Sequence, residues 1–475
     1  MKKKIAVFSV GCSNQILGKY MKGIKLGTED ISVDVYLFLC FASATDGDTR
    51  ADGELNIFNL PNLNDFDGAL VLGSSINTPR ALEEIDKRCK EANIPVIYTG
   101  YKTEDGYFVG IDNYYGAKQL CEHLYNDHGI RDFFFVAGSK GNMDSNMRLK
   151  AFQDVLSKNG SELSEDKYFY TDWSPRAAML FIEEWLANNK KLPEAFVCAN
   201  DELAVIVCEK LRKNGIIVPD DVIVTGFDNV LYGQVYDPSI SSVSQQFDKI
   251  GYESARMLLD LLDGKVVAKE RIINCKFIPG KSCGCTEGIG TVSIRKDICR
   301  NRFMDDMFNS AFYSKLSIME RQMMKGTSYD DIRNNYKVAN DMFNYYEGKS
   351  YHIVLDPLYR AKITNLETEY EMSGYPEKMD VFFSLDEGNY ACYDNFDVRQ
   401  IVPQVSNPEE NHLFVCAPLH DEGARLGYIV FADDYEKVET SLMMGTYTER
   451  LSLILVRFQQ AVYAKILKDK LSSES

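Results

Sequence analysis

The chain has 475 residues, 45% hydrophobic and 26% charged, a balance that suits a soluble protein of about two or three domains. Its formal net charge of −17 argues against a surface built for nucleic-acid phosphates, and its one basic run, Lys2-Lys3-Lys4, leads straight into a strand. Ile5–Val10 is too short for a signal-peptide core, and no run of roughly 18 apolar residues marks a membrane span. The reading is a cytoplasmic protein away from the membrane.

From residue 4 to about 280, apolar strands alternate with helical patterns. The strands are IAVFSV (5–10), VDVYLFL (33–39), GALVLG (68–73), PVIYTG (95–100), FFFVAG (133–138), AFVCA (195–199) and VIVTG (222–226). Helical patterns lie near 15–26, 79–92, 114–127, 146–159, 175–189 and 201–214. Near-continuous apolar strands imply that both sheet faces are covered, which predicts α/β, doubly wound parallel sheets in two lobes with a cleft between them. The run ANDELAVIVCEKLRKNGIIVPDDVIVTGFDN (199–229) is the most telling unit. Asn200 and Asp201 end one strand and Asp228 follows the next. In parallel sheets, polar residues beyond the carboxyl ends of strands line ligand crevices, so these three are expected to face one another, with plain turn chemistry as the alternative.

The pattern changes after Cys285. A glycine-rich stretch (Gly284, Gly288, Gly290) leads to a helical region at about 294–325, and Asp330–Glu347 continues as a second helical pattern. Strand-like runs follow: YHIVLD (351–356), DVFFSL (380–385), HLFVCAPL (412–419) and GYIVFAD (427–433), the last two forming a hairpin around an acidic turn with Gly423. Residues 436–472 close the chain as a helix. Its stripe Leu451, Ile454, Val456, Ala461 and Ile466 suits either a parallel dimer or packing on the preceding strands.

Of the twelve cysteines only Cys283-Gly284-Cys285 form a close pair. Metal sites call for two such pairs, or a pair with histidines at suitable spacing. The five histidines (123, 128, 352, 412, 420) show no such pattern in the sequence, so the pair reads as a structural turn, with no metal and no cofactor. There is no Gly-x-Ser-x-Gly, P-loop, His-Glu-x-x-His or Rossmann glycine fingerprint, and the expectation is a binding protein, not an enzyme.

Four segments in order carry a resemblance: GIDNYYGAKQLCEHLYNDHGIRDFFFVAG (110–138), RLKAFQDVLSKNG (148–160), the ANDELA–GFDN unit, and DPSISSVSQQFDKIGYESARMLLDLLDG (237–264). Together they resemble the effector-binding core of the lactose-repressor family, which shares its fold with type 1 periplasmic sugar-binding proteins. The resemblance implies ligand contacts from Asp112, Arg148, Asn200, Asp228 and Gln246, with Trp173 against a ligand ring. Ile16 and Leu17, in Gln15-Ile16-Leu17, hold the place of the family's aromatic pair, so a flat sugar-stacking wall is not expected there. Each has a plainer role open to it: Arg148 as a surface residue paired with Asp144, Trp173 as core, Asp112 and Asp228 as turn formers. The family's helix-turn-helix is not seen before the first core strand.

The expected organisation is a two-lobed sensor over 1–282, a turn and helical linker over 283–350, and a small α+β domain over 351–435 that resembles a GAF domain. A signalling or dimerisation helix over 436–475 completes it. The expected function is a sensor that binds a small polar ligand, sugar-like or nucleoside-like, and relays that binding to an output such as a diguanylate cyclase. The alternatives are a ligand-free dimeric scaffold, or a lactose-repressor-family transcription regulator acting through a separate DNA-binding partner. The expected partners are the ligand and a second copy of the chain, with no direct contact to nucleic acid.

Overall fold

The computed structural model describes residues 2–11, 14–41, 48–76, 78–188, 191–286, 310–343, 350–365, 373–433 and 441–473. They belong to two compact units. One comprises Met1–Phe108, Gly251–Lys269 and Asp305–Ser475, the other Val109–Ile250 and Glu270–Met304. Among the described residues no helix is long and apolar enough to cross a membrane.

The chain opens with β1 (Lys3–Val10), α1 (Asn14–Thr28), β2 (Val33–Cys40), α2 (Asp48–Leu55), β3 (Gly68–Leu72), α3 (Pro79–Glu91), β4 (Val96–Thr99) and β5 (Tyr107–Ile111). It continues through α4 (Asn113–Asn126), β6 (Phe133–Ala137), α5 (Met143–Lys158), β7 (Tyr168–Tyr170), α6 (Pro175–Asn188), β8 (Ala195–Cys198), α7 (Asp201–Lys213) and β9 (Ile223–Thr225). Then come α8 (Leu231–Val235), β10 (Ser242–Ser244), α9 (Phe247–Leu262), β11 (Glu270–Ile273) and β12 (Lys276–Ile278). The last part holds α10 (Tyr329–Phe343), β13 (Ser350–Leu355), α11 (Pro357–Thr364), β14 (Lys378–Asp386), β15 (Asn389–Asp397), β16 (Leu413–Asp421), β17 (Ala424–Asp433) and α12 (Ser441–Ser473).

In the first unit the sheet runs β5-β4-β3-β1-β2-β16-β17-β13-β14-β15. The strands from β5 to β2 are parallel. β16 then adds to β2, also parallel, with Leu413 opposite Val35 and Cys416 opposite Phe38, and from there the sheet turns antiparallel. The expectation of a separate small domain at 351–435 therefore gives way to one continuous sheet. The physical reason is the edge of β2: buried on both faces, it would otherwise present unpaired backbone groups. Side chains seal the join. Tyr36 packs on Phe414 at 5.0 Å, Asn411 Oδ1 accepts from Val33 N at 2.9 Å, and Asp34 pairs with Lys2 and His412. Phe8, Phe38, Phe58 and Leu82 share a single core with Val381, Phe396, Cys416 and Tyr428. The buried ion pair Arg425–Asp356 (2.5 Å) ties β17 to the start of α11.

The stripe of the closing helix divides: Leu451 and Ile454 are buried within the chain, Val456 and Ile466 are half-buried and Ala461 is exposed. Leu455, Phe458 and Val462 are buried as well, whereas Leu467 and Leu471 are exposed. The glycine-rich stretch at 288–290 and the start of the helical region at 294–309 lie outside the described residues; 310–323 are helical as expected.

The second unit has a parallel sheet in the order β7-β6-β8-β9 and a short antiparallel pair, β10-β12. The order reverses between β6 and β8, which defines a topological switch point. Phe133, Phe134 and Phe135 alternate between two covered faces, Phe133 meeting Phe152 and Phe134 meeting Phe196 and Trp185. This is why three consecutive phenylalanines fit a strand here.

Ending the chain at residue 286 should uncover the β2 edge and the apolar face beneath β16. The expected outcome is an aggregating fragment that binds a hydrophobic dye. A soluble monomer with native-like circular dichroism would contradict the shared sheet.

Candidate functional site

The residues of interest in the second unit gather at the carboxyl end of its parallel sheet. Arg148, in the second turn of α5, is 3% exposed and is not the surface residue that a pairing with Asp144 would make it. Its Nε donates to Asn113 Oδ1 at 2.8 Å and its Nη1 to the Ala199 carbonyl at 2.6 Å. Nη1 also lies 3.5 Å from Asp228 Oδ1, and the guanidinium sits 3.8 Å above the Phe227 ring. One cation thus joins α4, the end of β8 and the turn after β9. Nη2 has no hydrogen-bond acceptor among the described residues. A planar fork held on one side and open on the other is suited to two oxygens of a ligand.

Asn113 is itself placed by Asp144, whose Oδ1 accepts from Asn113 Nδ2 at 2.8 Å. Burial raises the Asp144 carboxyl above its ordinary range, against the pull of Arg148 and the Asn113 bond. Asp112 caps α4 by accepting from Tyr115 N at 2.8 Å, and Asn200 caps α7 by accepting from Leu203 N at 2.9 Å. Both are therefore helix caps, half-buried beside residues that hold Arg148.

Asp201 departs from expectation. It is 1% exposed and turns inward, Oδ1 accepting from Ser242 Oγ at 2.6 Å and Oδ2 from Val230 N at 2.8 Å. A Cβ at Gly226 would fall 2.3 Å from Asp201 Oδ1, which is why the GFD turn begins with glycine. Asp201 braces the turn and is not a ligand contact. Burial, and then the charge of Asp228, hold its pKa well above the carboxylate range.

Asp228 is half-buried and accepts from Gln245 Nε2. The resemblance points to Gln246, but its amide is turned to the Asn274 carbonyl, and Gln245 is the one that meets Asp228. Gln246 has φ +55°, so neighbouring residues here do not follow simple strand alternation. Trp173 lies across the end of β6: a Cβ on Gly138 would sit 2.3 Å from its Cε2. The ring is half-buried, with one side on the core.

Left-handed backbone is concentrated at this end of the sheet. Asp172, Trp173, Asp228, Asn229 and Gln246 all have positive φ. Asn and Asp tolerate that region, whereas a tryptophan at φ +58° is an outlier of the kind that clusters at functional sites. Ile16 and Leu17 belong to the first unit. Leu17 opens the buried α1 stripe Leu17, Tyr20, Met21, Ile24 and is fully buried, so it is core; Ile16 is half-buried.

Three partners in this site were missed by sequence reasoning: Asn113, Phe227 and Gln245. All three are immediate neighbours of residues that were singled out, and only backbone direction distinguishes them. Spacing also gave no sign that His123, His128, Cys283 and Cys285 converge, as they do.

Part of the chain matches a described family by sequence, and a larger part matches solved structures by fold. Residues 121–283 match the family model described as a periplasmic binding protein-like domain. Catabolite control protein A of Staphylococcus epidermidis is 25% identical over 256 residues, 54% of this chain and 74% of that protein. The HTH-type transcriptional regulator RegA of Clostridium saccharobutylicum is 26% identical over 268 residues, 55% of this chain and 76% of that protein. Among solved structures, the transcriptional regulator CelR–cellobiose complex gives a TM-score of 0.51 at 21% identity, covering 59% of this chain and 85% of that one. The lac repressor dimer bound to operator and the anti-inducer ONPF gives 0.50 at 18% identity, covering 59% and 94%. The matched part is thus of the lactose-repressor type in fold, and these sequence relatives bear the names of regulators.

Asp201 supplies a pH test. An unfolded aspartate titrates near about 3.9, and the folded one keeps its proton to higher pH. Its contribution to stability is therefore fully present below the unfolded pKa and is lost as pH rises toward the folded one. Asn in its place can accept from Val230 N and donate to Ser242 Oγ without ionising. Urea unfolding of Asp201→Asn and the parent chain, from about pH 4 to pH 7, should show the difference moving in favour of the variant as pH rises. A pH-independent difference would contradict the buried acid.

Proposed function

We propose that this chain is the ligand-sensing part of a lactose-repressor-type transcription regulator. The small polar ligand, sugar-like or nucleoside-like, is recognised by Arg148 at the carboxyl end of the second unit's sheet. The observation that carries this reading is the buried Arg148 guanidinium, anchored through Nε and Nη1 while Nη2 has no acceptor among the described residues. Asp112, Asn200 and Asp228 flank it with carboxylate and amide oxygens that can accept from ligand hydroxyls, and Trp173 offers a ring edge.

Ligand binding acts by differential affinity: whichever arrangement of the chain binds the ligand better is populated at the other's expense. The relatives' names support the regulator reading over relay to a diguanylate cyclase. Contact with DNA in this reading passes through a separate DNA-binding partner, because a net charge of −17 gives little attraction to phosphates. The chain acts as a dimer, and the C-terminal α+β segment, GAF-like in its helix-and-strand order, stiffens the first unit rather than reading DNA.

Calorimetry of the full chain against mono- and disaccharides, with cellobiose among them, and nucleosides tests this. A hydrogen bond to a charged group contributes about 1.5–3 kcal/mol, so Arg148→Lys should weaken the best ligand by about 10- to 100-fold. Thermal unfolding of the same variant separates lost binding from lost fold. Unchanged binding in a folded Arg148→Lys chain would overturn the assignment.

A further inference from the structure

We propose that His123, His128, Cys283 and Cys285 form a structural zinc site in the second unit, apart from the ligand site. Their four donor atoms lie within 4.8 Å of one another. His123 Nε2 is 3.1 Å from His128 Nε2, Cys285 Sγ is 3.3 Å from His128 Nε2, and His123 Nε2 is 3.6 and 3.7 Å from Cys285 and Cys283 Sγ. Zn–S bonds of about 2.3 Å and Zn–N bonds of about 2.0–2.1 Å in a tetrahedron require donor separations of about 3.3–3.8 Å, so the cage is already near the right size.

The surroundings are those of a built site. His123 Nδ1 is 2.7 Å from Asp127 Oδ2, a contact that places the ring proton on Nδ1 and leaves Nε2 with its lone pair toward the centre. The Phe277 ring lies 4.6 Å from the His123 ring and shields it. Cys283 and Cys285 reach the same point because Gly284 between them takes φ +88°. Ser282 anchors that turn: its backbone N donates to the Ser239 carbonyl at 2.9 Å, and its Oγ accepts from Ser241 N at 2.9 Å.

The donor set selects the metal. Two thiolates and two imidazoles, with no oxygen ligand, exclude magnesium and calcium and favour tetrahedral zinc with a closed shell. Binding releases the two thiol protons to solvent and joins four donors with no change in oxidation state. The histidines fall at His-x4-His, a zinc-finger spacing, but about 155 residues before the cysteines, and only the fold unites the two halves. Zinc would clasp the chain leaving β12 to the last turn of α4, the helix whose first turn carries Asp112 and Asn113.

The test uses the full chain purified under reducing conditions. Elemental analysis should find about one zinc per chain, and cobalt(II) in its place should give intense tetrahedral visible bands with thiolate charge-transfer absorption. Cys285→Ser should lose the stoichiometric metal. Asp127→Asn, which leaves all four ligands in place, should weaken zinc affinity by about 10- to 100-fold while remaining folded. If Cys285→Ser fails to fold, the cobalt spectrum of the parent chain and the Asp127→Asn affinity decide. A folded parent chain that takes up neither zinc nor cobalt, or a cobalt complex without thiolate bands, would overturn the site.

Discussion

A guanidinium taken out of water must be answered by oxygens and ring faces, and Arg148 is answered from three directions at once. Asn113 comes from α4, the Ala199 carbonyl from the end of β8, and Asp228 with Phe227 from the turn after β9. Breaking a buried ion pair costs about 3–5 kcal/mol when one partner is removed, so these elements are held in register by a single side chain. The same arrangement leaves Nη2 without an acceptor among the described residues, and it is on this that the proposal of a recognition group rests. Sheet order explains its location. The reversal between β6 and β8 parts the flanking helices and opens the carboxyl end of the sheet there.

The second unit therefore carries both the proposed recognition site and the proposed metal clasp, and the two lie at opposite ends of α4. Asp112 and Asn113 begin that helix and His123 lies in its last turn. Fixing its far end fixes the direction in which Asn113 presents its amide to Arg148. The first unit has a different burden. Its parallel half ends at β2, and strands from the far end of the chain complete it through β16. In this way an α/β sheet that would end in an open edge becomes a longer mixed sheet with a common core.

Much of this was legible in the sequence, for identifiable reasons. Strands covered on both faces read as unbroken apolar runs, so β1, β3, β6 and β8 could be placed from composition alone. Asn200 and Asp228 could be singled out because they sit at strand ends, where side chains point beyond the sheet, whereas Arg148, inside α5, was pointed to only by the family resemblance. What could not be read depends on pairing across long separations or on backbone direction. The register of Leu413 on Val35 joins segments some 380 positions apart, and nothing local in HLFVCAPL distinguishes a hairpin strand from one that also extends a parallel sheet. Gln245 and Gln246 are the same residue type side by side, and a left-handed turn decides which meets Asp228. Asp201 looked like a cleft residue because acidic groups at strand ends usually face water; the glycine beside it made room for it to turn inward. Cys283 and Cys285 looked unpartnered because His123, in the last turn of α4, and His128, just after that helix, lie much earlier in the chain.

Amide hydrogen exchange on the full chain, with and without the tightest-binding sugar or nucleoside, tests the central claim most directly. The expected result is ligand-dependent protection confined to the start of α4, the start of α5, the Ala199–Leu203 segment and the Gly226–Val230 turn. A ligand that binds stoichiometrically yet protects none of these segments would show that Arg148 does not receive it.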